Sequence, residues 1–214
     1  MKIVVKIGGS LCMTGSGPDS DYLSSLLPKL EEIDEEHELS ICVGGGELVR
    51  EYGESIENFN LSDREKETCF VDIMKANVRF LSYLLDKEPK FDLSDYKGEE
   101  VIVSGTGPGR STDANAAEVA AKMKADLLVK MTDVEGIYDR DPKEFEDAEK
   151  MDTVKFEDLE DIDNNKIPMD YGILDPLAVY IIKENRIRTA IINGRKGENL
   201  QKVIDGERIG TWIE

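Results

Sequence analysis

Residues 101–142 read VIVSGTGPGRSTDANAAEVAAKMKADLLVKMTDVEGIYDRDP, and this stretch decides the fold. Its two apolar segments, 101–103 and 127–129, are typical of buried strands, and a helical segment lies between them. Each strand is followed by a loop rich in Gly, Thr, Asp and cationic residues. Two parallel strands joined by one helix open these loops on the same edge of a sheet, where ligands bind. The stretch therefore predicts a parallel α/β sheet with a site at that edge.

The first of these loops, residues 104–113, can bind an anion through its backbone. Glycines at 105, 107 and 109 let the chain approach a ligand and turn its N–H groups inward. Thr112 and Asp113 then begin a helix, whose amide end also favours an anion. Taken alone, the loop is equally well explained as a turn that leads into a helix cap.

Two further glycine loops follow apolar strands earlier in the chain. Residues 2–7 end at Gly8-Gly9-Ser10, and residues 39–43 end at Gly44-Gly45-Gly46. Four such loops are hard to explain by packing alone, so we interpret them as one anion-binding edge. The cations that would balance an anionic ligand are Lys6, Arg50, Arg110 and Lys130.

Composition narrows the class of protein. The chain of 214 residues can bury one core, and its net charge of −19 argues against nucleic acid as a partner, because phosphate contacts need clustered Lys and Arg. No apolar segment approaches the roughly 18 residues of a membrane span, and the N-terminal strand is too short for a signal sequence. We expect a cytoplasmic protein without a membrane partner. The three cysteines and one histidine show no metal-site or disulfide pattern.

The remaining chain alternates strands and helices, which predicts a layered α/β sheet. Pro28 is expected to kink the first long helix or to start a new one. The Cys, Met and Phe positions of the helix at about 62–86 are interpreted as core. The acidic segment 143–165 is interpreted as a solvated surface segment. A helix is expected to begin within 171–176, with Pro176 in its first turn.

The motifs together resemble the amino acid kinase superfamily, and within it most closely the archaeal-type uridylate (UMP) kinases. The motifs are Lys6-Ile-Gly-Gly-Ser10, Gly44-Gly-Gly-x-x-x-Arg50, Gly107-Pro-Gly-Arg-Ser-Thr-Asp113 and Thr132-Asp-Val-Glu-Gly-Ile-Tyr-Asp-Arg-Asp141-Pro. The resemblance implies a three-layer αβα sandwich with a mainly parallel central sheet. It also implies transfer of the γ-phosphate of ATP to UMP, Mg²⁺ carried with ATP, and a homo-oligomer, usually a hexamer.

The resemblance also assigns residues by position. It implies one domain with an N-terminal acceptor-binding lobe at about 1–125 and a C-terminal ATP-binding lobe at about 126–214. The residues implied for ATP are Gly8, Gly9, Ser10, Gly46, Arg50, Thr132, Asp133, Tyr138 and Asp141. Those implied for UMP are Gly45, Glu67, Thr106, Gly107, Pro108, Gly109, Arg110, Ser111 and Thr112.

The chemistry of phosphoryl transfer is consistent with these residue types. A phosphate acceptor is already an anion and needs no general base, so the protein must align two polyanions and spread their charge. We predict that Lys6 and Lys130 neutralise the transferring group and that Asp113 orients Lys6 or polarises the metal shell. The sequence contains no G-x-x-x-x-G-K-[ST] P-loop, which sets a P-loop kinase aside.

Three departures from the family pattern keep other functions open. Glu67 stands where the family tends to have Asp, Asp133 stands where a neutral or basic residue is common, and the connection before Val101 is short. A kinase of another small phosphate or acid is therefore an alternative, although Glu47-Leu48 after Gly46 disfavours the isopentenyl phosphate type, which normally has a histidine there. A non-catalytic relative that binds an anion in the same cleft is the other alternative.

Overall fold

The computed structural model describes residues 1–140, 142, 144–159 and 173–214, and its centre is a seven-stranded sheet. The strands of this sheet are β1 (Lys2–Ile7), β4 (Glu38–Val43), β5 (Ile102–Val103), β6 (Leu127–Thr132), β7 (Thr153–Val154), β8 (Thr189–Asn193) and β9 (Thr211–Ile213). A separate two-stranded hairpin consists of β2 (Met13–Thr14) and β3 (Gly17–Pro18).

The sheet order is β5-β4-β1-β6-β8-β9-β7, so the first strand of the chain lies near the middle. β1 pairs in parallel with β4 on one side and with β6 on the other. The pairs β4–β5, β6–β8 and β7–β9 are also parallel, whereas β8 and β9 are antiparallel. Because the central strands are parallel, the loops that follow β1, β4, β5 and β6 open on one edge.

Helices cover both faces of the sheet. They are α1 (Gly9–Cys12), α2 (Ser20–Glu36), α3 (Gly46–Ile56), α4 (Asp63–Leu85), α5 (Thr112–Met123), α6 (Pro176–Glu184) and α7 (Glu198–Ile204), and a short 3-10 helix spans Phe156–Asp158. One core joins α2, α4 and α7 to the sheet face that carries Ile3, Val5 and Ile7. The other core joins α5 and α6 to the opposite face, which carries Val4. This arrangement confirms the predicted αβα sandwich with a mainly parallel sheet.

Two helices begin with caps that the sequence signals. Ser62 accepts a hydrogen bond from the Glu65 amide, and the Glu65 carboxylate accepts one from the Ser62 amide, which makes a capping box at the start of α4. Asp175 caps α6 by accepting from the amides of Leu177 and Ala178, with Pro176 in the first turn. The start of this helix therefore agrees with the expectation, whereas residues 171 and 172 lie outside the described residues.

Two expectations about local structure need correction in part. α2 runs without interruption from Ser20 to Glu36 with Pro28 inside it, so the proline does not start a new helix. The part of the acidic segment that is described, up to residue 159, is not simply a solvated surface. It contributes β7 and the 3-10 helix, and Val154, Phe156 and Leu159 are buried against α5 and α6. Among the described residues, no helix is both long enough and apolar enough to cross a membrane.

Candidate active site

Two lysines and one aspartate meet at the carboxyl edge of the central strands. Lys6 on β1 and Lys130 on β6 are direct neighbours in the parallel register, so their side chains lie on the same face of the sheet. α5 covers that face, and its second residue, Asp113, lies between the two lysines. The Lys6 Nζ is 3.1 Å from Asp113 Oδ1, and the Lys130 Nζ is 2.5 Å from Asp113 Oδ2. The structure thus brings the three predicted catalytic residues together.

Burial makes this cluster electrostatically sensitive. The side chains of Lys6, Lys130 and Asp113 are 10%, 6% and 13% exposed. The pKa of Lys130 is lowered to about 8, chiefly by burial; Asp113 opposes this shift and nearby Lys6 adds to it. Burial alone would raise the pKa of Asp113, but Lys130 and Lys6 outweigh it, so this pKa lies below its usual value. Two ammonium groups sharing one carboxylate leave a net positive charge, which favours an anion.

A first cavity of about 300 Å³ opens above this cluster. Its lining comes from the loops after three strands and from the start of α5. The residues that line it are Lys6, Gly8, Gly9, Ser10, Gly44, Gly45, Gly46, Arg50, Thr112, Asp113, Lys130, Met131, Thr132, Asp133, Val134 and Ile173. Most of the lining is polar or glycine backbone, as a phosphate site requires.

Close backbone contact explains the glycines in the first cavity. The loops after β1 and β4 touch main chain to main chain, because a Cβ on Gly9 would lie 2.1 Å from the Gly46 nitrogen. Gly46 also has φ +70°, a conformation that other residues rarely adopt. The Gly8 amide donates to the Met131 carbonyl oxygen, which ties the loop after β1 to β6. Gly9 and Ser10 begin α1, and the first amides of a helix have no partner within it.

A second cavity of about 430 Å³ lies along the loop that follows β5. We call residues 104–111 the 104–111 loop. The cavity is lined by Val49, Glu67, Phe70, Val71, Met74, Gly107, Pro108, Gly109, Arg110 and Ser111. One wall is therefore the glycine loop, and the other is the apolar side of α4 and α3. The start of α5 contributes to both cavities, with Ser111 in the second and Thr112 and Asp113 in the first.

Hydrogen bonds to three helices hold the 104–111 loop. The Gly109 amide donates to the Glu67 carboxylate at 2.8 Å, so α4 fastens the tip of the loop. The Ser111 hydroxyl accepts from the Ala114 amide as the cap of α5 and donates to the Asp175 carboxylate, which itself caps α6. Two helix caps from different parts of the chain are thus bonded to each other beside the site.

The predicted nucleotide residues distribute over the two cavities with three exceptions. Thr106 lines neither cavity and donates its hydroxyl proton to Asn115. Tyr138 lies away from both linings, where it forms an isolated bridge with Lys150. Asp141 lies outside the described residues.

Several lining residues were missed by the sequence interpretation. Phe70 and Met74 were assigned to the core, but they are only partly buried and line the second cavity. Helical spacing signals an apolar face without saying whether a sheet or a ligand cavity covers it. Asn115 was also missed. The one sequence feature that could have indicated Asn115 is a polar residue within the alanine-rich start of α5. In the structure this residue is completely buried.

The cysteines have no disulfide or metal partner among the described residues. The Cys42 thiol lies under the site and donates to the Thr112 carbonyl oxygen at 3.1 Å. Burial raises the pKa of Cys42 and the pKa of Cys12 to about 12, so both remain neutral thiols. Cys12 and Cys42 are therefore core residues, whereas Cys69 is only partly buried.

Comparisons with known proteins relate this arrangement to one enzyme family. A model of the amino acid kinase family matches residues 92–193. Uridylate kinases from Thermococcus kodakarensis and from Methanocella arvoryzae are each 35% identical, with 100% of both chains covered in each comparison. The crystal structure of uridylate kinase from Archaeoglobus fulgidus superposes with a TM-score of 0.87 at 29% identity and again covers 100% of both chains.

Proposed function

The chain belongs to the amino acid kinase family and within it to the uridylate kinases, and from this premise we propose how its site works. It is a phosphotransferase that moves the γ-phosphate of ATP to UMP and yields ADP and UDP. The observation that supports the chemistry most directly is the cluster of Lys6, Asp113 and Lys130, which lines the first cavity beside the start of α5.

The first cavity is assigned to the phosphates of ATP. Gly9 and Ser10 offer amides at the start of α1, and Gly46 and Arg50 offer an amide and a cation from the loop after β4 and from α3. Thr132 and Asp133, at the end of β6, continue toward the nucleoside of ATP. Tyr138 and Asp141 are also assigned to ATP, on the basis of the family resemblance.

The second cavity is assigned to UMP. The 104–111 loop supplies backbone amides and the Arg110 guanidinium, while Phe70 and Met74 form an apolar wall for the base. Ser111 lines the same cavity, and Thr106 is assigned to UMP from the family resemblance. Glu67 also lines this cavity, whereas Gly45 and Thr112 line the first cavity and are assigned to UMP from the family resemblance. The division into an acceptor-binding lobe at about 1–125 and an ATP-binding lobe at about 126–214 is proposed with this assignment, although Gly8 to Arg50 lie in the first lobe and contribute to both nucleotides.

The transfer step needs alignment and charge neutralisation. An oxygen of the UMP phosphate attacks the γ-phosphorus, the new P–O bond forms, and the bond to the β-phosphate oxygen breaks so that ADP leaves. Lys6 and Lys130 stabilise the charge on the transferring group, and Asp113 holds both ammonium groups in place. Because the acceptor oxygen is already anionic, the step requires no general base.

Magnesium is proposed to enter as part of the Mg–ATP substrate. Within the described part of the chain, no three carboxylate, His or Cys side chains lie close enough to hold an ion together. Mg²⁺ typically binds nucleotide phosphates with few protein carboxylates, which fits this donor set. When bound, Mg²⁺ neutralises part of the phosphate charge, and the residues described here neutralise the remaining charge.

The function is tested with a panel of acceptors. We expect the protein, given ATP and Mg²⁺, to phosphorylate UMP faster than CMP, AMP, small phosphates or small acids, with product formation followed by chromatography. Faster phosphorylation of a non-nucleotide acceptor would show that UMP is not the preferred substrate. It would support a kinase of another small phosphate or acid, the alternative that Glu67 and the short connection before Val101 leave open. Tight nucleotide binding without turnover of any acceptor would support the non-catalytic alternative.

The assembly and location are proposed from the family. We propose a homo-oligomer, in the form of a hexamer, located in the cytoplasm. Large apolar side chains on the outer surface of α3, α4 and their connection support an oligomer, since Phe59 is 65% exposed and Tyr83 is 76% exposed. Light scattering coupled to size-exclusion chromatography measures the mass that decides this.

A further inference from the structure

Asn115 is a completely buried polar residue on the side of α5 that meets the 104–111 loop. Its Nδ2 donates to the Ser104 carbonyl oxygen at 2.8 Å. Its Oδ1 accepts from the Thr106 hydroxyl and from the Arg110 Nε, each at 3.2 Å. A carbonyl oxygen can only accept and the arginine Nε can only donate, so the contacts fix the orientation of the amide.

These bonds reach the beginning, the middle and the end of the loop. Besides the three side-chain bonds, the Asn115 amide donates to the Ser111 carbonyl oxygen at 3.1 Å. Ser104 is further anchored because its hydroxyl donates to the Val43 carbonyl oxygen at the end of β4. One buried residue thus connects the loop to the rigid start of α5.

The Arg110 guanidinium is held from two directions. Its Nε donates to Asn115, and its Nη2 donates to the Glu118 carboxylate one turn further along α5. This leaves the plane of the guanidinium defined before any ligand binds. A preorganised guanidinium loses less conformational entropy when it binds a phosphate.

Asn115 is separate from the lysine cluster although it lies only two residues after Asp113. Residues two apart on a helix point in different directions. The first turn of α5 therefore directs the Asp113 carboxylate toward Lys6 and Lys130 and the Asn115 amide toward the loop. A change at Asn115 removes loop contacts without removing a group from the lysine cluster.

We propose that Asn115 is a positioning residue for the acceptor phosphate. It holds the Arg110 guanidinium in the orientation in which it binds the phosphate of UMP, and through the Thr106 hydroxyl it fixes the middle of the loop that carries Arg110. This inference rests on the proposed function, because it assigns the loop to the acceptor. It adds a residue that acts through two others and does not itself touch the nucleotide.

The test is the effect of Asn115 variants on the KM of each substrate. Asn115→Leu removes every side-chain bond, and we expect the KM for UMP to rise about tenfold or more while the KM for ATP changes by less than about twofold. Asn115→Asp keeps an acceptor oxygen for Thr106 and Arg110 but loses the bond to Ser104 and adds a buried negative charge, so we expect its KM for UMP to rise less than that of the Leu variant. In both variants kcat/KM should still fall at alkaline pH as it does in wild type, because the change does not affect the ionisation of Lys130.

Ser40→Ala is the matched control, because the Ser40 hydroxyl is also fully buried and accepts from the Val101 amide at 3.1 Å, away from both cavities. It should lower the melting temperature without altering either KM. If Asn115→Leu does not fold, Asn115→Ala replaces it, since it introduces no clash. The inference would be overturned if Asn115→Leu left the KM for UMP unchanged or raised the KM of both substrates equally. It would also be overturned if the Asp variant were as impaired as the Leu variant.

The two proposals fail differently. If wild type phosphorylates UMP but Asn115→Leu keeps its KM for UMP, only the role of Asn115 is wrong. If wild type prefers another acceptor in the panel, UMP is wrong, and the same KM comparison with that acceptor decides the role of Asn115. A wild-type protein that phosphorylates no acceptor overturns both.

Discussion

The ammonium group of Lys130 depends on its surroundings more than an exposed lysine does. Burial, opposed by Asp113, lowers its pKa to about 8, so a small rise above neutral pH removes its charge. The adjacent register position of Lys6 places a second ammonium group beside it, which disfavours the charged form further. The cluster is therefore fully charged only below about pH 8.

We expect kcat/KM to report this ionisation. Lys130 is cationic below its pKa and neutral above it, so kcat/KM should be level below about pH 8 and fall as the pH rises through that value. Lys130→Arg keeps its charge throughout, because an arginine pKa lies above about 12, and its kcat/KM should show no fall near pH 8. The same alkaline limb in the arginine variant would show that another group titrates.

Removal of the Lys6 ammonium group should affect turnover far more than binding. Lys6→Ala is expected to lower kcat by at least about 100-fold, because the charge it neutralises develops in the transition state. The Kd for ATP, measured by calorimetry, should rise by less than about tenfold. Lys2→Ala is the control, since Lys2 lies on the same strand but forms a solvent-exposed pair with Glu38. Unchanged turnover of Lys6→Ala would mean that Lys6 is misassigned.

At the scale of elements, the sequence predicted the order of strands and loops well. Each glycine loop follows an apolar strand, and a parallel sheet necessarily brings the ends of neighbouring strands together. The convergence of Gly9, Gly46, Asp113 and Lys130 could therefore be inferred from local patterns. The role of Asn115 could not, because its hydrogen bonds depend on how the 104–111 loop folds back onto α5.

Tertiary packing also overrode local signals in two places. Pro28 is a helix breaker by itself, yet Leu23, Leu26, Leu30 and Ile33 pack into the core on both sides of it and keep α2 continuous. The sparse apolar residues after Pro142 have no clear period, so burial of Val154 and Phe156 appears only once the sheet is assembled.

Pro28 gives a prediction at this scale. Its missing amide and its ring destabilise the interior of α2, so Pro28→Ala should raise the free energy of unfolding by about 1–2 kcal/mol. The gain is smaller than the roughly 3 kcal/mol interior penalty, because the unfolded chain gains freedom, which is worth about 0.4–1 kcal/mol, and because packing on both sides of Pro28 already holds α2 in place. Urea denaturation measures it.

The matched control is Pro176→Ala. Pro176 occupies the first turn of α6, where proline is tolerated, so this change should leave stability equal or slightly lower. Equal losses at both positions would attribute the effect to the freer unfolded chain alone and would show that α2 accommodates Pro28 without a penalty.

At the scale of the whole molecule, the net charge of −19 opposes compaction. Salt screens this repulsion, since the Debye length falls from about 10 Å at 0.1 M to about 3 Å at 1 M. Salt also weakens surface ion pairs such as Arg186–Glu157, but exposed pairs contribute only about 0–1 kcal/mol each. Screening of the general repulsion should therefore stabilise the protein more than the weakening of the ion pairs destabilises it.

We expect the melting temperature to rise steadily between low salt and about 1 M KCl, as measured by calorimetry. Sucrose at matched osmolality serves as the uncharged comparison, and the increase with KCl should exceed the increase with sucrose at the low end of the range. A melting temperature that is level or falls with KCl would show that the ion pairs outweigh the repulsion.

The central place of β1 has a consequence for synthesis on the ribosome. This strand precedes its two neighbours, β4 and β6, which end only at Val43 and Thr132. A nascent chain can complete one side of β1 early, whereas the other side stays unpaired until residue 132 has left the exit tunnel. Lys6 meets Lys130 only then, so the catalytic cluster forms late, and a chain arrested before β6 emerges has no active site.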